Sequence, residues 1–535
     1  MKILSHPAVT ALGIATLCFL PTISTLVEPA HLAIYHLSGP PSAAFAPILL
    51  DLAVVFLLLT ALFYSAQRFN WLARALWLGT ILFLPWMLLK SLMTVAHLPF
   101  HHYLSLSISA VSTILFLSFL LFWQPSLQAP FEYVRNLIST LLAFAALSGA
   151  VLVLQLLWCT WQARGLNTPL PLHQHQSASS VSVDQPPNQR IIWILLDELS
   201  YQQVYEGRFS GLQLPAFDQL ASQSTVFTHV VPAGIYTQEV IPSLMTGISV
   251  DHIRSSAAGM LSIHNATANT WEPFDPRNTV FQDALNGGYT TAIAGWYNPY
   301  CRMLPQVLDR CFWTNHIPSL NDLVTKKTVP YSLIDHMPGV LAVTCTFVHL
   351  SMCPSTRDRN LHIQDYRDIF TAADTLLADP SVNFIFLHLP VPHPGGIYDR
   401  KTTAFATTNM SYIDNLALAD RYLNHVRQLL QQHNAWDSST IVVMGDHSWR
   451  TKLVWSSSPQ WTSEDQAASN GGQFDDRPAY IVKLPRQQQP ERFDAPFAAV
   501  HTRALLDAIL SNRIHTPSEL SSWAGQQASA HTALQ

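Results

Sequence analysis

Hydrophobic positions divide the chain into two unlike parts. Before residue 165 the apolar residues run on without period, over roughly Ala8 to Val27, Ala44 to Ala66, Leu72 to Lys90, Leu104 to Trp123 and Leu137 to Trp161. Each run is close to the ~20 residues that carry a helix across the hydrocarbon core of a bilayer. Helices of a soluble bundle would carry a charged face, and these carry almost none. Residues 1–164 are therefore expected to form a membrane domain of about five transmembrane helices. The first run also resembles a signal peptide, but no small-x-small cleavage site follows it and four more spans do, so it reads as an uncleaved anchor.

Beyond residue 165 the pattern changes twice. GLNTPLPLHQHQSASSVSVDQPPNQR, residues 165–190, is rich in Pro, Ser and Gln without apolar periodicity and reads as a linker, with His173 and His175 in solvent. Then short unbroken apolar runs recur: IIWILLDE (191–198), TTAIAGW (290–296), VNFIFLHL (382–389) and STIVVMGDH (439–447). Helical patterns separate them, among them LPAFDQLASQS (214–224) and Tyr412 to His433. Strands that do not alternate in and out, spaced by helices, predict an α/β domain over 191–525 whose mostly parallel sheet is covered by helices on both faces. The tail 526–535 reads as disordered.

Composition and charge sharpen the first part. Of 535 residues 49% are hydrophobic and only 12% charged, too apolar for an average soluble enzyme. Lys2, Arg68, Arg74 and Arg135 all fall on one side of the expected spans, while the opposite loops, Glu28 to Ser42 and Lys90 to Tyr103, carry only Lys90. The positive-inside rule then places everything after residue 165 outside the membrane of a bacterial-type cell. Asp51 and Lys90 near span ends read as interfacial. Cys18 and Cys159 lie in spans, whereas Cys301 with Cys311 and Cys345 with Cys353 form two close pairs without the spacing of a zinc ribbon. Two local disulfides suit an exported domain. A formal net charge of -5 and the lack of a basic tract argue against nucleic acid as a partner.

Candidate chemistry gathers at the carboxyl ends of the expected strands, where open α/β sheets bind ligands. The first run stops at Asp197-Glu198, the third contains His388 and is followed by His393, and the fourth stops at Asp446-His447. One such end is usually a helix cap or a structural histidine. Three ends predicted to lie side by side suit a divalent cation, which would also relieve the repulsion between Asp197 and Asp446.

With these residues in place, the stretch from about Ile191 to Leu484 resembles the sulfatase-like branch of the alkaline phosphatase superfamily. LPAFDQLA is similar to the branch's P-x-x-D-x-L-A segment, GGYTTAIAGW to its G-Y-x-T-x-x-x-G-K-W, MGDHS to its G-D-H-G metal motif, and HLPVPHPGGIY to its substrate-side histidine segment. In YTQEVIPSLMTG, Thr237 stands ten residues before Gly247, where sulfatases carry the formylglycine precursor of C-x-P-x-R. That motif is absent, Trp296-Tyr297-Asn298 replaces the usual K-W-H, and formylglycine cannot be made from a threonine. A threonine five positions before a proline, here Pro242, behind about five membrane helices is similar instead to phosphoethanolamine transferases and lipoteichoic acid synthases.

The resemblance implies a metal-dependent enzyme, transferring or hydrolysing a phospho-alcohol or related ester on a membrane lipid or envelope glycan. Thr237 would be nucleophile, with Asp197 or Glu198, Asp446, His447 and Thr237 holding the cation. His393 and His388 would act on the transferred group or the leaving alcohol, and Trp296 and Arg477 would stand on the substrate side. Zinc suits the Asp-His-Thr set best, with Mn2+ or Ca2+ as alternatives. Ser243 and Thr246 read as helix-start residues after Pro242, and Glu239 as a loop carboxylate. A phosphodiesterase or atypical sulfatase of the same fold is the nearest rival, and an inactive membrane-anchored binding protein the rival of another class.

Overall fold

The computed structural model describes residues 6–37, 39–95, 128–168, 170–173, 189–316, 333, 336–337, 354–458 and 460–532. The run Leu104 to Trp123, His175 and the pair Cys345 and Cys353 lie outside the described residues. The chain folds as two compact units, the first holding the N-terminal helices up to Asn167, the second most of the chain from Thr168 onward.

In the first unit, helices α1 (Pro7–Leu26), α2 (Pro41–Ala66), α3 (Asn70–Val95) and α4 (Gln128–Gln162) take up four of the five apolar runs. Proline opens α1 and α2, where its missing N–H costs nothing. Gly13 on α1 lies so close to α4 that a Cβ there would sit 2.3 Å from the Leu142 carbonyl, the small-residue approach typical of membrane helix pairs. Leu57, Leu58, Leu147 and Leu154 are nevertheless 62% to 68% exposed, a surface that water would not tolerate. Among the described residues, three helices are long and apolar enough to cross a membrane: Pro7–Leu26, Pro41–Ala66 and the stretch Phe131–Asn167.

The second unit is built on an eight-stranded sheet. Its elements in chain order begin with β1 (Arg190–Leu196), β2 (Thr225–Phe227), helix α5 (Thr237–Thr246), and β3 (Val250–Ser255), β4 (Leu261–Asn265) and β5 (Thr270–Pro273) of a separate small sheet. Helix α6 (Val280–Asn286), β6 (Thr291–Trp296), β7 (Arg310–Thr314), α7 (Pro354–Ala378) and β8 (Phe384–Leu389) follow. Then come α8 (Tyr412–Gln432), β9 (Ser439–Gly445), β10 (Tyr480–Lys483), β11 (Glu491–Phe493) and α9 (Pro517–Thr532). The strand order is β11-β2-β10-β9-β1-β8-β6-β7, parallel from β9 through β7 and antiparallel at β10.

Every residue of β8 and β9 is buried, as is all of β1 after Arg190, because both faces of the sheet are covered. On one face Ile192, Ile194, Ile385 and Leu387 join a core with Tyr366 and Ile369 of α7 and Leu416 and Tyr422 of α8. On the other, Phe281 of α6 packs edge-on against Phe384 and Phe386. Double burial is what removed the in-out alternation from these strands.

Four expectations need correction. The tail expected to be disordered from Gln526 continues α9 to Thr532. His173, expected in solvent, hydrogen-bonds Asp309 at 2.9 Å, so the linker's start is held by the domain. Helix α5 begins at Thr237 rather than after Pro242, which lies inside it. Glu239, read as a loop carboxylate, accordingly stands in its first turn. The disulfide Cys301–Cys311 is present.

Candidate active site

Parallel pairing brings the chemistry-bearing strand ends together. β1 lies between β8 and β9, with Leu195 paired to His388 and Leu196 paired to both Leu389 and Gly445. Asp197 and Asp446, each one residue past its strand, therefore emerge side by side. Gly445 permits this, since a Cβ there would be 2.7 Å from the Leu199 carbonyl of the turn that follows β1.

Helix α5 delivers Thr237 to the same point. Tyr236 is the N-cap in extended conformation and Thr237 the first helical residue, so its hydroxyl stands at the positive end of the helix dipole. Gly247, at φ 71°, stops the helix in the left-handed conformation that glycine adopts without strain, which explains the Thr-Gly pair. Thr237 Oγ1 donates to Asp446 Oδ2 at 2.7 Å and lies 3.4 Å from both Asp197 Oδ2 and His447 Nε2. All four side chains are buried.

Electrostatics in this cluster are set by one imidazole between carboxylates. Burial opposes charge on His447, but the Asp446 carboxylate at 3.1 Å outweighs it and pushes its pKa up to about 9. Burial likewise works against ionised Asp446, yet His447, His388 and the Glu198 amide hold its carboxyl well below the usual range. Protonated His447 thus supplies the positive charge that the cluster needs. Asp197 Oδ1 is fully buried with no hydrogen-bond partner, an orphan that costs stability unless something binds it. Asp197, Asp446, the Thr237 hydroxyl and His447 together make a donor set that fits a zinc- or manganese-type cation.

Asp197 and Glu198 are not equivalent. Glu198, at φ 61°, sits in the left-handed region that costs a non-glycine residue of the order of 1–3 kcal/mol and is retained mainly at functional sites. Its two oxygens accept from Arg450 Nε (2.9 Å), Arg450 Nη2 (2.5 Å), the Arg450 amide (3.1 Å) and Trp455 Nε1 (2.9 and 3.0 Å). Asp197, Glu198 and His447 lie close enough to share an ion, but Glu198 is already saturated and Asp197 is not.

The remaining predicted residues are placed unevenly. His393 is half-buried between Trp296 (5.2 Å between ring centres), His362 (5.7 Å) and Trp455 (5.1 Å), the last of which joins it to Glu198. Its Nδ1 donates to the Pro394 carbonyl, and burial outweighs the pull of Asp197 and lowers its pKa to about 3. His393 is thus neutral. His388 lies behind Asp197, 3.5 Å from its Oδ2, with Tyr300 OH 2.7 Å from the other ring nitrogen. It is fully buried and touches Asp197 rather than the Thr237 hydroxyl. Trp296, expected on the substrate side, is 4% exposed and donates to Asp365 while stacking on His362. Arg477 is bound to Asp475, Glu206 and the Thr228 carbonyl and lies over Tyr201, none of them in the Thr237 cluster. Sequence reasoning missed Arg450, Trp455 and Tyr300. Arg450 had a signal, being a basic residue three positions after His447; the two aromatics had none.

With the geometry in place, comparison settles the class. The Sulfatase family matches residues 189–485, more than half of the chain, and the chain belongs to it. It is an enzyme of the sulfatase and phosphoesterase type, in a superfamily whose members are metal-dependent. No curated protein matches the chain. Among solved structures, the lipoteichoic acid synthase LtaP from Listeria monocytogenes is 12% identical over 60% of this chain and 72% of its own, at a TM-score of 0.36. The phosphonate monoester hydrolase of Agrobacterium radiobacter is 12% identical over 60% and 74%, also at 0.36. A protein of glycosaminoglycan metabolism in Bacteroides thetaiotaomicron is 12% identical over 64% and 83%, at 0.43. Likenesses of this size leave the assignment resting on the sequence match.

Proposed function

We propose that this protein is a cation-dependent membrane enzyme in which Thr237 takes a phospho-alcohol group from a lipid-linked phosphodiester and passes it to an alcohol or to water. The observation that carries this reading is the Thr237 hydroxyl at the start of α5, 2.7 Å from Asp446 and 3.4 Å from Asp197 and His447. A threonine hydroxyl at its free pKa is a poor nucleophile, and a buried helix N-terminus among cation-binding groups is where it becomes a good one.

Asp197, Asp446, His447 and Thr237 would hold the cation, zinc being the best match to the set, and Glu198 would brace the turn through Arg450. When bound, the cation supplies positive charge that stabilises the threonine alkoxide and the phosphoryl oxygens. Thr237 Oγ1 forms a bond to phosphorus while the bond to the leaving alcohol breaks, giving a phosphothreonine. Asp446 Oδ2, which accepts the Thr237 hydroxyl hydrogen bond, relays the proton on to the departing alkoxide, so that the first product leaves as the neutral alcohol. His393, held neutral, is placed to hydrogen-bond the transferred group rather than to carry a proton, and in the second half the acceptor's proton returns through Asp446. His388 positions Asp197. The three membrane-length helices among the described residues and the Cys301–Cys311 disulfide support a plasma-membrane protein with this domain on the outer, oxidising side.

The test is release of the head group from a labelled phospholipid by the purified full-length protein. Thr237→Ala and chelation should each abolish release; full turnover by Thr237→Ala would remove the mechanism. Transfer and hydrolysis separate by whether the label appears on an added alcohol or free in solution.

A further inference from the structure

We propose a second divalent-cation site, independent of the Thr237 cluster, on the outer face of the small β3-β4-β5 sheet, formed by Asp251, His252 and His264. Strands β3 and β4 are antiparallel, and His252 lies directly opposite His264. The register shifts between Val250 and His252, an irregularity that adds one residue on β3. In a regular strand Asp251 and His252 would point to opposite faces. Here both face outward between buried Val250 and Ile253, so the irregularity turns a carboxylate and an imidazole to the side where His264 waits.

The donor atoms converge. His264 Nδ1 lies 2.6 Å and His252 Nδ1 3.4 Å from the same oxygen, Asp251 Oδ1, and one donor from each residue falls within 4.8 Å of the others. Trp271, capped by Arg254 at 4.2 Å, packs against the His264 ring at 5.3 Å and fixes its orientation. A His-Asp ion pair needs only one imidazole. Two imidazoles from facing strands aimed at one carboxylate oxygen repel each other when protonated, and neutral they form with it a three-ligand set for zinc that leaves a position open.

The site adjoins the nucleophile's helix. β3 follows α5 within four residues, and the Val250 amide bonds Ser243 Oγ of α5 at 3.0 Å. Glu239, in the first turn of α5, is close enough to feel both His252 and Asp251. A cation here would clip β3 to β4 in the hairpin that follows the helix presenting Thr237.

Equilibrium dialysis of the full-length protein against Zn2+ alone, with metal counted by mass spectrometry, tests the site. His264→Asn and His252→Asn should each lose one equivalent that Asp446→Asn retains. His252 is 69% exposed, so its replacement leaves the fold intact. Co2+ absorption offers a second readout: in an Asp446→Asn background the d–d bands should persist and vanish on adding His264→Asn. Wild-type stoichiometry in both histidine variants overturns the proposal. Loss of an equivalent in them alone, with none lost in Asp446→Asn, would sustain it while removing the Thr237 site's cation.

Discussion

Replacing Arg450 by methionine should destabilise the sulfatase-family domain. Glu198 is fully buried, and Arg450 gives it two side-chain hydrogen bonds and an amide, with a further bond to the Ile235 carbonyl at 3.2 Å. Removing one member of a buried ion pair costs about 3–5 kcal/mol, because the remaining charge is left uncompensated. Trp455 and the Arg450 amide would still serve Glu198, so the loss falls at the lower end, about 3 kcal/mol. At about 2 °C per kcal/mol in a domain of this size, thermal unfolding should fall by roughly 6 °C. Intrinsic fluorescence of the detergent-purified protein measures it, the indoles of Trp449, Trp455 and Trp461 lying in this region. Adding Glu198→Gln to Arg450→Met should recover most of the loss, since no charge is then stranded. A melting temperature unchanged within about 2 °C in the single variant, a loss of under 1 kcal/mol, would refute the brace.

Other outcomes follow from the same geometry. Asp197→Asn should lose the cation at the Thr237 cluster, whereas Glu198→Gln should keep it; the reverse result, read by metal analysis, would exchange their roles. His447 is protonated up to about pH 9 without the cation, and binding must displace that proton. Affinity should therefore rise with pH through neutrality, by roughly tenfold per unit for one proton, and calorimetry in buffers of different ionisation enthalpy should count it. A flat profile between pH 6 and 8 would contradict the ligand assignment. Tyr300→Phe removes the partner of His388 and should lower turnover while leaving Thr237 able to react, because the effect reaches the cluster only through Asp197.

The sheet and most of the site were legible because their causes are local. Unbroken apolar runs announced strands buried on both faces, and the polar residues at their ends marked the crevice. That β8, β1 and β9 are neighbours was an inference from topology, and the register bears it out. What could not be read is which way side chains turn. Trp296 and His388 sit on strand ends like the others, yet both point beneath the crevice. Asp197 and Glu198 differ through a left-handed backbone at Glu198 and an arginine from 252 positions away, neither visible in a periodic pattern. Arg477 was assigned by position in a segment, and its two acidic neighbours in space, one of them 271 residues distant, decide where it goes.

The central claim is that Thr237 carries the group. Intact-mass analysis of the full-length protein after brief incubation with phospholipid and Zn2+, followed by fragmentation, measures this directly. A mass increment equal to a phospho-alcohol, located on Thr237 and absent from Thr237→Ala, is the expected result. Turnover with no adduct on quenching, or an adduct elsewhere that persists in Thr237→Ala, would contradict it.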